Sequence, residues 1–154
     1  MSRGKCLVLG FGSDALSDDG IPVRLVNDLK VVVSQNKFKF ETSAVGGLEL
    51  LELLEGFDKA VLIDTQLTSR RKPGEIHEFT PDNFEETFHL SSQHDLTFHE
   101  ALRFAKEMGL SMPHDIRIIA IEIVENKKLS FEFSEEIDAL YADILSQVRD
   151  LIVN

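Results

Sequence analysis

Three residues of metal-ligand type stand far apart in the chain: Asp19, Asp64 and His94. Each falls where a strand gives way to a loop or a loop leads into a helix. Two carboxylates brought together repel unless a cation lies between them. Adding one imidazole suits zinc or nickel, with positions left open for a further ligand. Asp18, next to Asp19, either orients or deprotonates a water beside such a centre or simply opens a helix. Other chemistries find less support. The Gly10-x-Gly12 turn lacks the third glycine of a dinucleotide fingerprint, Ala15 standing in its place. Asp14, Asp18 and Asp19 would also repel a pyrophosphate there. No Gly-x-Ser-x-Gly elbow occurs, and Cys6 sits inside an apolar run, where it reads as core. His99-Glu100 has no histidine at 102–104 to complete a zinc-protease signature.

For the three residues to meet, the elements around them must share one edge of a sheet. Residues 6–9 form a short apolar run, so a strand is expected over 5–10, followed by a glycine turn. Ile21, Leu25, Val26, Leu29 and Val33 recur at helical spacing, which predicts a helix over 20–33 with Pro22 in its first turn. The stretch 37–42 alternates polar and apolar, as an edge strand with one wet face does. Gly46-Gly47 opens a helix over 48–55 and Gly56 closes it. The stretch 60–64, an apolar run that ends in Asp64, is a central parallel strand. A polar loop over 65–72, a short strand over 75–80 and a half-helical segment over 81–87 come next. A second loop then runs from His89 through His94. Thr97 and Glu100 form a capping box for a helix that Gly109 ends. The β-branched run 115–124 is a further strand, and Ser134 caps a long helix carrying Ile137, Leu140, Tyr141, Ile144, Leu145, Val148, Leu151 and Ile152. Alternating strands and helices predict an α/β fold, a three-layer α/β/α sandwich around a mostly parallel, roughly five-stranded sheet with right-handed crossovers. Ligands of such sheets collect at the carboxyl ends of the strands, where Asp19, Asp64 and His94 all fall.

The 154 residues read as one domain spanning 1–154, with 43% apolar and 28% charged residues. A formal charge of −11 argues against nucleic acid, and the basic run Arg70-Arg71-Lys72 reads as a solvated loop. The N-terminal apolar run is too short for a signal peptide, and no run approaches the ~20 residues of a membrane helix. A single cysteine excludes an internal disulfide and fits a reducing compartment, so a cytoplasmic location without membrane attachment is expected. Nothing resembles a coiled-coil seam, and a monomer is expected.

Four blocks taken together carry a family resemblance: Leu9-Gly-Phe-Gly-Ser-Asp-Ala-Leu-Ser-Asp-Asp-Gly20, Gly46-Gly47-Leu-Glu-Leu-Leu51, Val61-Leu-Ile-Asp64 and Ser92-Gln-His94-Asp-Leu96. In order and spacing they resemble the hydrogenase maturation endopeptidases over nearly the whole chain. The resemblance implies an endopeptidase that removes a C-terminal extension from the large-subunit precursor of a [NiFe] hydrogenase after nickel insertion. It implies that Asp19, Asp64 and His94 contact the metal, and that the nickel is carried by the precursor. Zinc or cadmium would be stand-ins at the same residues. Asp18 would be a further catalytic candidate, with the attacking water activated either by the metal or by a carboxylate. Ser13 stands where the family usually has Asn, Pro22 where a Gly is common, and Thr42 where an Asp ends the second strand. The departures at Ser13 and Thr42 motivate one rival expectation, a homologue that binds a metal-loaded partner without cleaving it.

Overall fold

The computed structural model describes residues 5–44, 48–85, 87–90 and 97–154. Five runs rich in apolar and β-branched residues form one sheet: β1 (Cys6–Phe11), β2 (Phe38–Ser43), β3 (Lys59–Gln66), β4 (Ile76–Phe79) and β5 (Asp115–Glu122). Their order is β2-β1-β3-β5-β4, so β3 is central and β2 lies at an edge as its alternation predicts. The first, second, third and fifth strands pair in parallel, and β4 runs antiparallel to β5.

Successive side chains of a strand point to opposite faces, and both faces of this sheet are covered. On one, Val8, Val61, Ile63, Ile119 and Ile121 pack with α1 (Ile21–Val32) and α4 (Glu135–Val153) through Leu25, Val26, Leu29, Ile137, Ile144 and Val148. On the other, Leu7, Leu9, Leu62 and Ile118 pack with α2 (Leu48–Leu54) and α3 (Phe98–Glu107) through Leu50, Leu54 and Phe98. This is the three-layer sandwich expected from the alternation of elements. Among the described residues no helix is long and apolar enough to cross a membrane.

Several boundaries differ from expectation, each for a local reason. Asp64 does not end β3, because pairing with β5 continues through Thr65↔Ile121 and Gln66↔Glu122. Among the described residues of 81–87 only a 3-10 turn forms, Pro81–Asn83, closed by reciprocal hydrogen bonding between Thr80 and Asn83. A second 3-10 turn, Ser17–Gly20, precedes α1, so Asp18 and Asp19 lie in that turn rather than in the helix. The Gly46-Gly47 opening of α2 lies outside the described residues.

Two glycines let β1 lie tight against α1 and the 3-10 turn ahead of it. A Cβ on Gly10 would sit 2.6 Å from the Pro22 carbonyl oxygen. One on Gly12, whose φ is 153°, would sit 2.0 Å from the Asp19 carbonyl oxygen. Gly12→Ala must therefore push the Asp19 turn away or strain the backbone. A loss of about 1–3 kcal/mol is expected, read as a lower midpoint in urea unfolding.

On the α1–α4 face the Tyr141 hydroxyl donates to Asp28 Oδ2 at 2.6 Å. Burial, and then the bond to the Asp28 carboxylate, hold that hydroxyl's pKa above the ordinary tyrosine range. The folded state thus keeps a proton that an unfolded tyrosine releases near pH ~10. The contribution is fully present below that pH and fades above it. Tyr141→Phe is expected to lose about 1 kcal/mol at pH 7, with the gap from wild type closing above pH ~10 in urea titrations.

Candidate active site

The chain leaves β1 through Gly12, passes Ser17 in the left-handed region (φ 54°), and enters the 3-10 turn. Ser17 is held there by donating its N–H to the Ser130 carbonyl at 2.8 Å. That turn points two adjacent carboxylates in different directions. Asp18 accepts from the N–H groups of Val124, Glu125 and Ser134 and from the Ser134 hydroxyl, at 2.8–3.1 Å. Asp18 thereby fastens the 124–134 segment to the 3-10 turn. Asp19, 1% exposed, accepts from the Ser13 N–H through Oδ2 at 2.8 Å. Its Oδ1 is buried and, among the described residues, without a hydrogen-bond partner.

Asp64 lies in β3 and is fully buried. Oδ1 accepts from the Thr65 N–H and from His89 Nδ1, both at 2.8 Å. Oδ2 accepts from the Thr87 hydroxyl at 2.7 Å, the His89 N–H at 2.6 Å and the Leu90 N–H at 2.9 Å. Because a carboxylate only accepts, His89 carries its ring proton on Nδ1. Its other nitrogen, Nε2, faces Asp19 Oδ1 at 3.7 Å. Phe11 stacks against the ring with centroids 6.3 Å apart, and Phe88 meets it edge-on at 5.0 Å while remaining half exposed.

Burial and neighbouring groups set the charge of Asp19 and His89. Burial raises the Asp19 carboxyl above its ordinary range; the His89 ring and the Ser13 N–H oppose the rise, and Asp64 adds to it. For His89, burial disfavours the imidazolium, but the Asp64 hydrogen bond and the charges of Asp64 and Asp19 outweigh it and raise the pKa. The arrangement is a buried carboxylate–imidazole–carboxylate line at the carboxyl end of the sheet, able to hold a positive charge between two acids.

Structure therefore brings Asp19 and Asp64 together on opposite sides of one ring, and that ring is His89. His94 lies outside the described residues. Sequence alone puts His89 at the start of the same loop without a role, since spacing does not separate two histidines five residues apart. Thr87 carries no sequence signal either. Among the described residues no group of three or more His, Cys, Asp and Glu is arranged to hold a metal ion. The basic run beside the site is engaged with the protein: Arg71 donates to Gln66 Oε1 at 2.7 Å and pairs with Glu85 at 3.0 Å. Buried Glu122 accepts from the Thr68 N–H and hydroxyl at 2.8 Å, which ties the same loop to the end of β5.

A family profile described as hydrogenase maturation protease matches residues 23–150, a stretch that includes Asp64, His89 and His94 and begins after Asp19. The chain belongs to the hydrogenase maturation protease family. Solved structures agree on the fold. The hydrogenase maturating endopeptidase HybD from E. coli is 19% identical, with 94% of this chain and 89% of that one covered and a TM-score of 0.68. The [NiFe] hydrogenase maturation protease HycI from Thermococcus kodakarensis is 20% identical over 98% of this chain and 94% of that one, with a TM-score of 0.65. HybD from the same archaeon is 22% identical over 96% and 98%, with a TM-score of 0.62. Among curated protein sequences none matches significantly.

Two variants separate the jobs of the adjacent acids. Asp18→Ala leaves three backbone N–H groups and a hydroxyl without their acceptor. A loss of about 3 kcal/mol or more is expected, with new protease sensitivity inside 124–134. Asp19→Asn removes a buried charge whose Oδ1 has no donor and keeps an acceptor for the Ser13 N–H. Its melting temperature is expected to rise, by about 2–4 °C for each ~1 kcal/mol gained, measured by calorimetry.

Proposed function

We propose that this family member removes the C-terminal extension of a nickel-loaded [NiFe] hydrogenase large-subunit precursor. The observation that carries the reading is the meeting of Asp19 and Asp64 on either side of the His89 ring at the carboxyl end of the sheet, with Asp19 Oδ1 buried and, among the described residues, without a hydrogen-bond partner. A cation presented by a docked partner relieves the repulsion that two such acids otherwise exert on each other. The resemblance adds His94 from the following loop, so that Asp19, Asp64 and His94 are the residues set against the precursor's nickel. Docking the metal places the scissile peptide nearby, and positioning supplies both selectivity and part of the rate. Hydrolysis then adds the oxygen of water to the carbonyl carbon, breaks the C–N bond and delivers a proton to the leaving amine. The precursor would be met in the cytoplasm, and zinc or cadmium would act only as stand-ins for its nickel.

Mass spectrometry of a nickel-loaded precursor incubated with the protein is expected to show a shortened large subunit and a released C-terminal peptide. Asp19→Ala and His94→Ala are each expected to slow that cleavage by about a hundredfold or more. A nickel-free precursor is expected to remain intact. Cleavage of that precursor at the full rate would defeat docking through nickel, and a stable complex with no shortening would mark a binder without protease activity.

A further inference from the structure

We infer that the apolar side chains of Leu129 and Phe131 are the anchor by which the body of the precursor protein seats on the carboxyl end of the sheet. The inference rests on the reading that the chain acts on a large-subunit precursor. It assigns the holding of that partner to residues apart from the acids and the histidine.

The segment 124–134 is held in shape without help from these two side chains. Asp18 accepts from the N–H groups of Val124, Glu125 and Ser134. The Glu125 carboxylate accepts from the N–H groups of Lys127 and Lys128, and the Ser130 hydroxyl from that of Glu132. Ser130 also bridges to the turn after β1, donating to the Ala15 carbonyl at 2.9 Å and accepting from the Ser17 N–H at 2.8 Å. On either side of that bridge, Leu129 and Phe131 stand 82% and 73% exposed. Apolar residues scattered singly over a surface are ordinary. Two large ones flanking a pinned backbone are a preformed contact, which loses little conformational freedom when a partner covers it.

Their surroundings fit that partner. Backbone bonds link the segments at this end in series: Phe88 donates to the Thr65 carbonyl, Ile123 to that of Gln66 and Asp18 to that of Glu125, at 2.8–3.0 Å. Three further exposed apolar residues, Leu67, Phe88 and Val124, belong to those same segments. A substrate that places its tail beside Asp19 has to rest on this end of the molecule, and Asp19 adjoins the acid that fastens 124–134. Phe131, with Asp14, Val23, Arg24, Asn27 and Phe133, lines a hollow of about 200 Å³. A side chain of the partner inserted there is the pocketed anchor on which interfaces concentrate their affinity. Charge does not set the contact: in this segment Lys127 and Lys128 balance Glu125 and Glu132, within a chain of formal charge −11. What the surface offers is apolar burial rather than ion pairing.

The test uses the full-length protein and the nickel-loaded precursor, with steady-state cleavage followed by mass spectrometry. Leu129→Ser and Phe131→Ser combined in one chain are expected to raise KM by about tenfold or more and to leave kcat within about twofold of wild type. Val31→Ser, at a similarly exposed position on α1, is expected to match wild type. Hydrogen exchange of the wild-type protein needs no variant, and saturating precursor is expected to slow the amides of residues 126–132. A KM within about twofold of wild type in the double variant, or an equal rise in Val31→Ser, would overturn the inference. Exchange over 126–132 unchanged by saturating precursor would overturn it as well, even if a variant fails to fold. Any of those results with a precursor that the wild type cleaves removes this inference alone, whereas a precursor left whole removes the functional reading beneath it.

Discussion

A single carboxylate, Asp64 of the central strand, organises residues 87–90. A charged group withdrawn from water in the middle of a sheet carries a penalty of several kcal/mol unless donors replace the lost hydration. Asp64 obtains those donors from the next amide in its own strand and from residues 87, 89 and 90. The segment that supplies them has no helix or strand to hold it, so the acid serves as its scaffold. Two backbone amides, a hydroxyl and an imidazole are fixed together by that one side chain. Geometry at the site is thus inherited from the central strand of the fold rather than from the loop itself, which is how a preorganised site is best supported.

The adjacent acids of the 3-10 turn show how neighbouring residues acquire opposite roles. A 3-10 turn advances about 120° per residue, so Asp18 and Asp19 cannot face the same way. Asp18 is fully satisfied by the 124–134 segment, whereas Asp19 keeps one oxygen free toward His89. Ser17 at positive φ and the two glycines of the first strand and its exit make the turn tight enough for both contacts. Backbone strain next to an unsatisfied buried carboxylate is a local cost that the well-packed sheet can absorb.

Much of the fold was legible in the sequence because the physical signals were local. The runs 60–63 and 118–121 are apolar at every residue, which only a strand covered on both faces requires, and both belong to paired parallel strands inside the sheet. Helical spacing exposed α1 and α4, and Ser134 and Thr97 marked helix starts that the structure shows with their hydroxyls accepting from Ile137 and Glu100. Asp19 and Asp64 were visible as candidates because strand ends in such sheets are where ligands gather. The rest depended on partners remote in sequence. Nothing near Asp18 announces that its donors lie more than a hundred residues later. Composition made 81–87 look helical, but Thr80 and Asn83 close the turn after three residues and Asp64 draws Thr87 to the sheet. His89 and His94 lie five residues apart in the sequence, and spacing alone does not say which ring meets Asp64.

The fastening of Asp18 also bears on when the molecule becomes competent during synthesis. Its acceptor oxygens are matched by donors 106 to 116 positions downstream, so the contact closes a loop spanning most of the polypeptide and is entropically among the last to form. A nascent chain that has emerged only as far as β5 already possesses both acids and the histidine, yet lacks Ser134 and the helix behind it. The turn bearing Asp19 therefore gains its final shape only once the 124–134 segment is in place. The shape of the Asp19 turn is in this way tied to a segment remote in sequence, by topology alone.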